Sequence, residues 1–244
     1  MEPNSEPLMR VGQTVSPAPS RVGGDEARVA DEARKVLRNT YLLLALTMVP
    51  TLIGAVVGMA TSGFVLQYPL ASTLILLAGV VGLQFGIAAN RNSGLGIALL
   101  LLMTGILGWW LGPILNMALK LTNGMQLVGY AAVGTGVIFF AMGAIATTTK
   151  RDFSFMGKFL FVGMMALLVA MIANMFLQIP ALALTISTLV IVVFSLFLLY
   201  DLNRIVRGGE TNYVMAATGV YMSLYNIFVN LLILLMALAG GGRR

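Results

Sequence analysis

The chain has 244 residues, of which 59% are hydrophobic and only 10% charged. Soluble domains carry about 25% charged residues, so this balance places the chain in a membrane. Cysteine and histidine are both absent, which removes disulfides, thiolate and imidazole catalysis, and the usual zinc ligands together. The net charge of +6 reads as membrane topology rather than nucleic-acid binding, because the basic residues sit at the ends of apolar runs and not in one patch.

Residues 1–39 form a cytoplasmic, mostly disordered tail on this reading. The stretch from Met1 to Gly24 is rich in Pro, Ser and Gly and too poor in large apolar residues to fold alone. No apolar segment near the start suggests a signal peptide. The sequence DEAR then occurs twice, six residues apart, giving i,i+3 pairs Asp25/Arg28 and Asp31/Arg34. Val29, Ala33, Val36 and Leu37 fall on one helical stripe. A short solvated helix leading into the first span fits this pattern, as does a docking element on the membrane surface or a partner.

A transmembrane domain follows over residues 40–240. Apolar runs recur at 41–60, 69–89, 94–111, 126–147, 153–177, 180–206 and 212–239, each near the ~20 residues needed to cross a bilayer core. The breaks NRNSG and TTTKRD are polar or charged, and QIP at 178–180 allows only a tight hairpin. The stretch 111–124, LGPILNMALKLTNG, reads as an interfacial helix or a partly re-entrant loop, with Trp109 and Trp110 at headgroup level. Glycines four apart at 54/58, 82/86 and 108/112 mark faces where helix backbones approach closely.

Twelve of the 15 basic residues fall on the side of the N-terminus, and Lys120, Arg243 and Arg244 on the other. The positive-inside rule then puts the N-terminus in the cytoplasm and, after seven crossings, the C-terminus outside.

Enzymatic chemistry finds little support. Histidine-dependent proteases and HExxH zinc sites are excluded. An intramembrane aspartyl protease needs two aspartates, and only Asp201 lies within or at the edge of a span. No Walker loop occurs. No cofactor, metal site or nucleic-acid partner is expected.

The polar groups concentrate on the seventh span. Ser223, Asn226 and Asn230 make one stripe, and Thr218, Tyr221 and Tyr225 a second beside it. A helix polar on two sides must be surrounded by other helices or line a wet cavity. Asp201 stands near the cytoplasmic end of span six, with Arg204 one turn on. It reads either as a boundary ion pair or as a gate and pH sensor, held by Arg204 and by Ser223 and Asn226 of span seven.

The motifs KVLRNTY (35–41), GPILN (112–116), ANMFLQIPAL (173–182), YDLNRIVRGGETNY (200–213) and YMSLYNIFVNLL (221–232) closely resemble the Bax inhibitor-1 family, and within it the YccA-like bacterial branch described as modulators of the membrane protease FtsH. The resemblance spans about residues 35–240. It implies six transmembrane helices wrapped around a central seventh, and a non-enzymatic protein that binds FtsH and modulates its proteolysis, with the flexible tail as a handle for the protease. Some relatives are proposed to be pH-sensitive calcium leak channels with an aspartate pair on helices six and seven. Asp201 matches the first of that pair, and the second falls at Ser223. A calcium or cation leak gated at the cytoplasmic ends of helices six and seven, with calcium or protons as ligands, is therefore the alternative function.

Overall fold

The computed structural model describes residues 21–241. The elements are α1 (Arg21–Ala60), α2 (Gly63–Gln67), α3 (Pro69–Ala89), α4 (Gly94–Leu119), α5 (Gly124–Thr148), α6 (Met156–Leu177), α7 (Pro180–Val206) and α8 (Tyr213–Gly241). Seven of them are long and apolar enough to cross a membrane, so the fold is an all-α integral membrane bundle. Pro69 and Pro180 open α3 and α7 at the first helical turn, where a missing N–H costs nothing. The α6–α7 hairpin turns at Gln178, which adopts φ 53° while its N–H bonds to the Asn174 carbonyl at 2.8 Å.

Two boundaries differ from the sequence reading. The first crossing segment begins at Ala30 rather than at residue 41. Ala33 is buried, and Val36 and Leu37 pack on the main core, so the stripe belongs to the bundle and not to a solvated lead-in. On the opposite side Arg34 and Asp31 stand 3.9 Å apart, both well exposed. Residues 1–20, and the side chain of Asp25 with which Arg28 would pair, lie outside what the structure describes. The second difference is at 111–124, which is neither re-entrant nor a separate interfacial helix. α4 continues through Gly112 and Pro113 to Leu119. Pro113 is buried in the helix interior, and neighbouring helices support such prolines in membrane spans. At 26 residues, α4 is about 39 Å long, more than the ~30 Å bilayer core.

The tightest interface joins α1 and α4. A Cβ on Gly54 would strike the Gly105 carbonyl, one on Gly108 the Thr51 carbonyl, and one on Gly112 the backbone of Gly58. Two of the three glycine pairs seen in the sequence therefore face each other. The third pair differs: Gly82 faces open space and Gly86 only the Leu99 side chain. Trp109 Nε1 donates to Thr61 Oγ1 at 2.7 Å, and Asn116 Nδ2 donates to the Met59 carbonyl at 2.7 Å. The C-terminal half of α4 is thereby fastened to the end of α1.

α8 is the centre. It packs against α1, α3, α4, α5 and α7, while α6 packs on α7. The ring around α8 is thus five helices in direct packing, with α6 joined through α7.

Candidate functional site: the Asp201 cavity and the basic-end latch

The segment 200–213 builds a latch at the end of the bundle where the α3–α4, α5–α6 and α7–α8 loops meet. Asn203, 1% exposed, receives the Phe153 N–H on Oδ1 at 3.2 Å and donates from Nδ2 to the Arg151 carbonyl at 3.3 Å. Arg207 reaches the Thr149 carbonyl at 3.4 Å. Asn212 caps α8, its Oδ1 accepting from the Val214 and Met215 N–H groups at 3.0 and 3.1 Å. Its Nδ2 donates to the Arg91 carbonyl and Asn92 Oδ1 at 3.0 and 2.8 Å. Three loops are thereby tied by one short segment. In the α5–α6 loop, the Ser154 hydroxyl and N–H both donate to Asp152 Oδ1 at 2.6 and 2.8 Å. These bonds hold the Asp152 carboxyl below its usual range.

Arg204 does not pair with Asp201. The Gly208–Gly209 turn, with Gly208 at φ 73°, folds the chain back so that Arg204 Nη2 meets Glu210 Oε2 at 3.1 Å. Arg204 also donates to the Gly209 carbonyl at 3.3 Å, and its guanidinium lies 5.5 Å from the centre of the Tyr200 ring. A partner six residues away escapes an i,i+3 or i,i+4 search of the sequence. The signal lay in the Gly-Gly turn between them.

Asp201 instead faces a cavity of about 300 Å³. Gln84 of α3, Phe161 and Met164 of α6, Phe194 and Phe197 of α7, and Gly219 and Ser223 of α8 are among its walls, and Arg204 and Glu210 stand at its polar end. Gly219 makes room for the acid: a Cβ there would lie 2.6 Å from Asp201 Oδ2. Asp201 makes no hydrogen bond or ion pair with any described residue. Ser223, one turn beyond Gly219, lines the same cavity and is 2% exposed, but no bond joins it to Asp201. The two positions share a cavity without a hydrogen bond between them.

The remaining residues of span seven are engaged elsewhere. Tyr221 shares a 2.8 Å hydrogen bond with Thr51 Oγ1 and lies 3.4 Å from the Thr104 carbonyl. Tyr225 donates to the Leu107 carbonyl at 2.9 Å, and the two rings stack with centres 6.2 Å apart. This stripe binds α8 to α1 and α4. Asn226 and Asn230 donate to the Met222 and Asn226 carbonyls of their own helix, each at 2.8 Å, and neither is among the residues lining the Asp201 cavity. Among the described residues no three of His, Cys, Asp and Glu gather as a metal site.

These features define a polytopic helical membrane protein built round one central helix, with the Asp201 carboxyl facing a cavity of mixed apolar and polar lining. The chain belongs to the family described as Inhibitor of apoptosis-promoting Bax1, which matches residues 33–240. It is 43% identical over 201 residues to the Modulator of FtsH protease YccA of Escherichia coli, covering 82% of this chain and 89% of that protein. It is 39% identical over 209 residues to an uncharacterized protein of Neisseria meningitidis, covering 84% and 92%. With an uncharacterized membrane protein of Vibrio cholerae it shares 38% over 204 residues, covering 84% and 90%. The resemblance carried by the sequence motifs, family and YccA-like branch alike, is thereby borne out.

Proposed function

We propose that this chain is a non-enzymatic inner-membrane protein that binds an FtsH-type membrane protease and modulates its proteolysis of other membrane proteins. The similarity to the Modulator of FtsH protease carries the reading, because it runs across nearly the whole bundle of both proteins. On this reading the basic end, with Arg34, Lys35, Arg91, Lys150 and Arg151, faces the cytoplasm, where such proteases take hold of their substrates. Residues 1–24 serve as the handle, and the latch around Asn203 and Asn212 keeps the bundle compact. The calcium-leak reading has less behind it: calcium favours several carboxylate oxygens, whereas among the described residues no three of His, Cys, Asp and Glu gather, and Glu210 is paired to Arg204.

The test is capture of the protease. Full-length chain, cross-linked in membranes and purified, should bring down the FtsH-type protease, and the chain lacking residues 2–24 should recover several-fold less while inserting normally. Equal recovery by both would move recognition to the loops or spans. No recovery by either would refute the reading.

A further inference from the structure

The cavity beside Asp201 has an unbalanced charge. Two carboxylates and one guanidinium border it, and the guanidinium is taken by Glu210, the Gly209 carbonyl and the Tyr200 ring. Asp201 is left as a carboxyl group with no protein donor, open to a ligand that supplies one. Phe161, Met164, Phe194, Phe197 and Met222 line the same cavity, with Gln84, Thr218 and Ser223 as its neutral polar groups. Aromatic faces and thioether sulfurs favour organic cations over strongly hydrated metal ions. The cavity also has a side door. α6 packs on α7, and no packed interface joins α6 to α3, although both line the cavity. Phe161 of α6 both lines the cavity and is 56% exposed. A ligand dissolved in the bilayer can therefore reach Asp201 between α3 and α6.

We propose that this cavity binds a monovalent amphiphilic amine, its ammonium group on the Asp201 carboxylate and its apolar body against the Phe and Met wall. One positive charge balances the site. The volume of about 300 Å³ is at the small end of ligand cavities and suits an arylalkylamine rather than a whole lipid. A phosphoethanolamine headgroup brings a phosphate with its amine, and the one cation that could receive it is engaged by Glu210. This site stands apart from the protease reading, and either can fail without the other.

The test uses full-length protein in nanodiscs of phosphatidylcholine and phosphatidylglycerol, with 4-(trifluoromethyl)phenethylamine followed by fluorine NMR. Saturable binding above that of empty nanodiscs is expected. It should weaken about tenfold or more in Asp201→Asn, the loss of one charge-assisted hydrogen bond, and equally for the neutral N-acetyl derivative. Met164→Trp should abolish binding by filling the cavity from α6, with an unchanged melting temperature and no alteration at Asp201. Undiminished binding in Asp201→Asn or Met164→Trp would overturn the proposal. So would equal binding of the acetylated probe, or uptake no greater than by empty nanodiscs. Complete displacement by phosphatidylethanolamine in the nanodisc would assign the site to a lipid headgroup and overturn it as well.

Discussion

Asp201 on α7 lies against Gly219 on α8, its Oδ2 2.6 Å from the place where a Cβ would stand. A carboxylate near the C-terminal end of an apolar helix is opposed by the helix dipole. The bundle accommodates it by removing a side chain from the facing helix rather than by supplying a counter-charge. Gly219→Ala should therefore crowd the acid and lower stability by about 1–3 kcal/mol, measured by thermal unfolding in detergent. Combined with Asp201→Ala, the penalty should largely vanish, a coupling that a double-mutant cycle reads directly. Additive losses would mean the two residues do not press on each other.

The α1–α4 seam should tolerate nothing larger than glycine. Gly54→Ala and Gly108→Ala each put a methyl group into a facing backbone carbonyl and should cost about 3 kcal/mol or more, or prevent accumulation of folded protein. Gly82→Ala and Gly136→Ala, whose Cβ positions face open space, should stay within about 0.5 kcal/mol of the parent. Comparable losses at all four positions would remove the distinction.

Tyr225→Phe should cost about 0.5–1.5 kcal/mol, because the Leu107 carbonyl loses its 2.9 Å donor from α8. Tyr221→Phe should cost less, since Thr51 also donates to the Thr47 carbonyl of its own helix at 2.7 Å. The reverse order would contradict these roles.

Much of this was legible beforehand. The bounds of α3 and α7 match the apolar runs at 69–89 and 180–206, because proline marks their starts and polar residues their ends. Gly54, Gly58, Gly108 and Gly112 were recognisable as a packing face because four-residue spacing makes a continuous groove. Pro113 misled, since a Gly-Pro pair reads as a break whereas a buried interface keeps α4 helical through it. Asp201, Arg204 and Ser223, which the sequence groups as one gate, all border one cavity. Arg204 was assigned the wrong acid, because a turn brings Glu210 closer than helical spacing brings Asp201. Asn203 and Asn212 went unnoticed, since their partners lie in loops 50 and 120 residues away.

The Asp152 turn offers a pH-dependent readout. Its carboxyl is held below the ordinary value of 3.8 by Ser154. The contribution of the turn is therefore fully present above that pH and is lost as the pH falls through the lower folded value. Amide exchange at Ser154, corrected for intrinsic rate, should accelerate only in that acid range, and in Asp152→Ala at every pH. Exchange already fast at neutral pH would mean the turn does not hold.

Glu210→Gln should release Arg204 from its 3.1 Å partner. The pair is partly exposed, so the loss of stability should stay near about 1 kcal/mol. The freed guanidinium should then turn to Asp201 and weaken amine binding in the adjoining cavity. Unchanged binding would leave Arg204 without influence on the acid.

Protease modulation is tested most directly by co-reconstitution. An FtsH-type protease and a membrane substrate are placed in liposomes with rising amounts of the full-length chain, and substrate loss is followed in time. The rate should fall in proportion to the added chain, because a chain that occupies the protease excludes other substrates, and calcium flux in the same liposomes should stay at the level of empty ones. An unchanged degradation rate together with a chain-dependent calcium leak would contradict the modulator and establish the channel in its place.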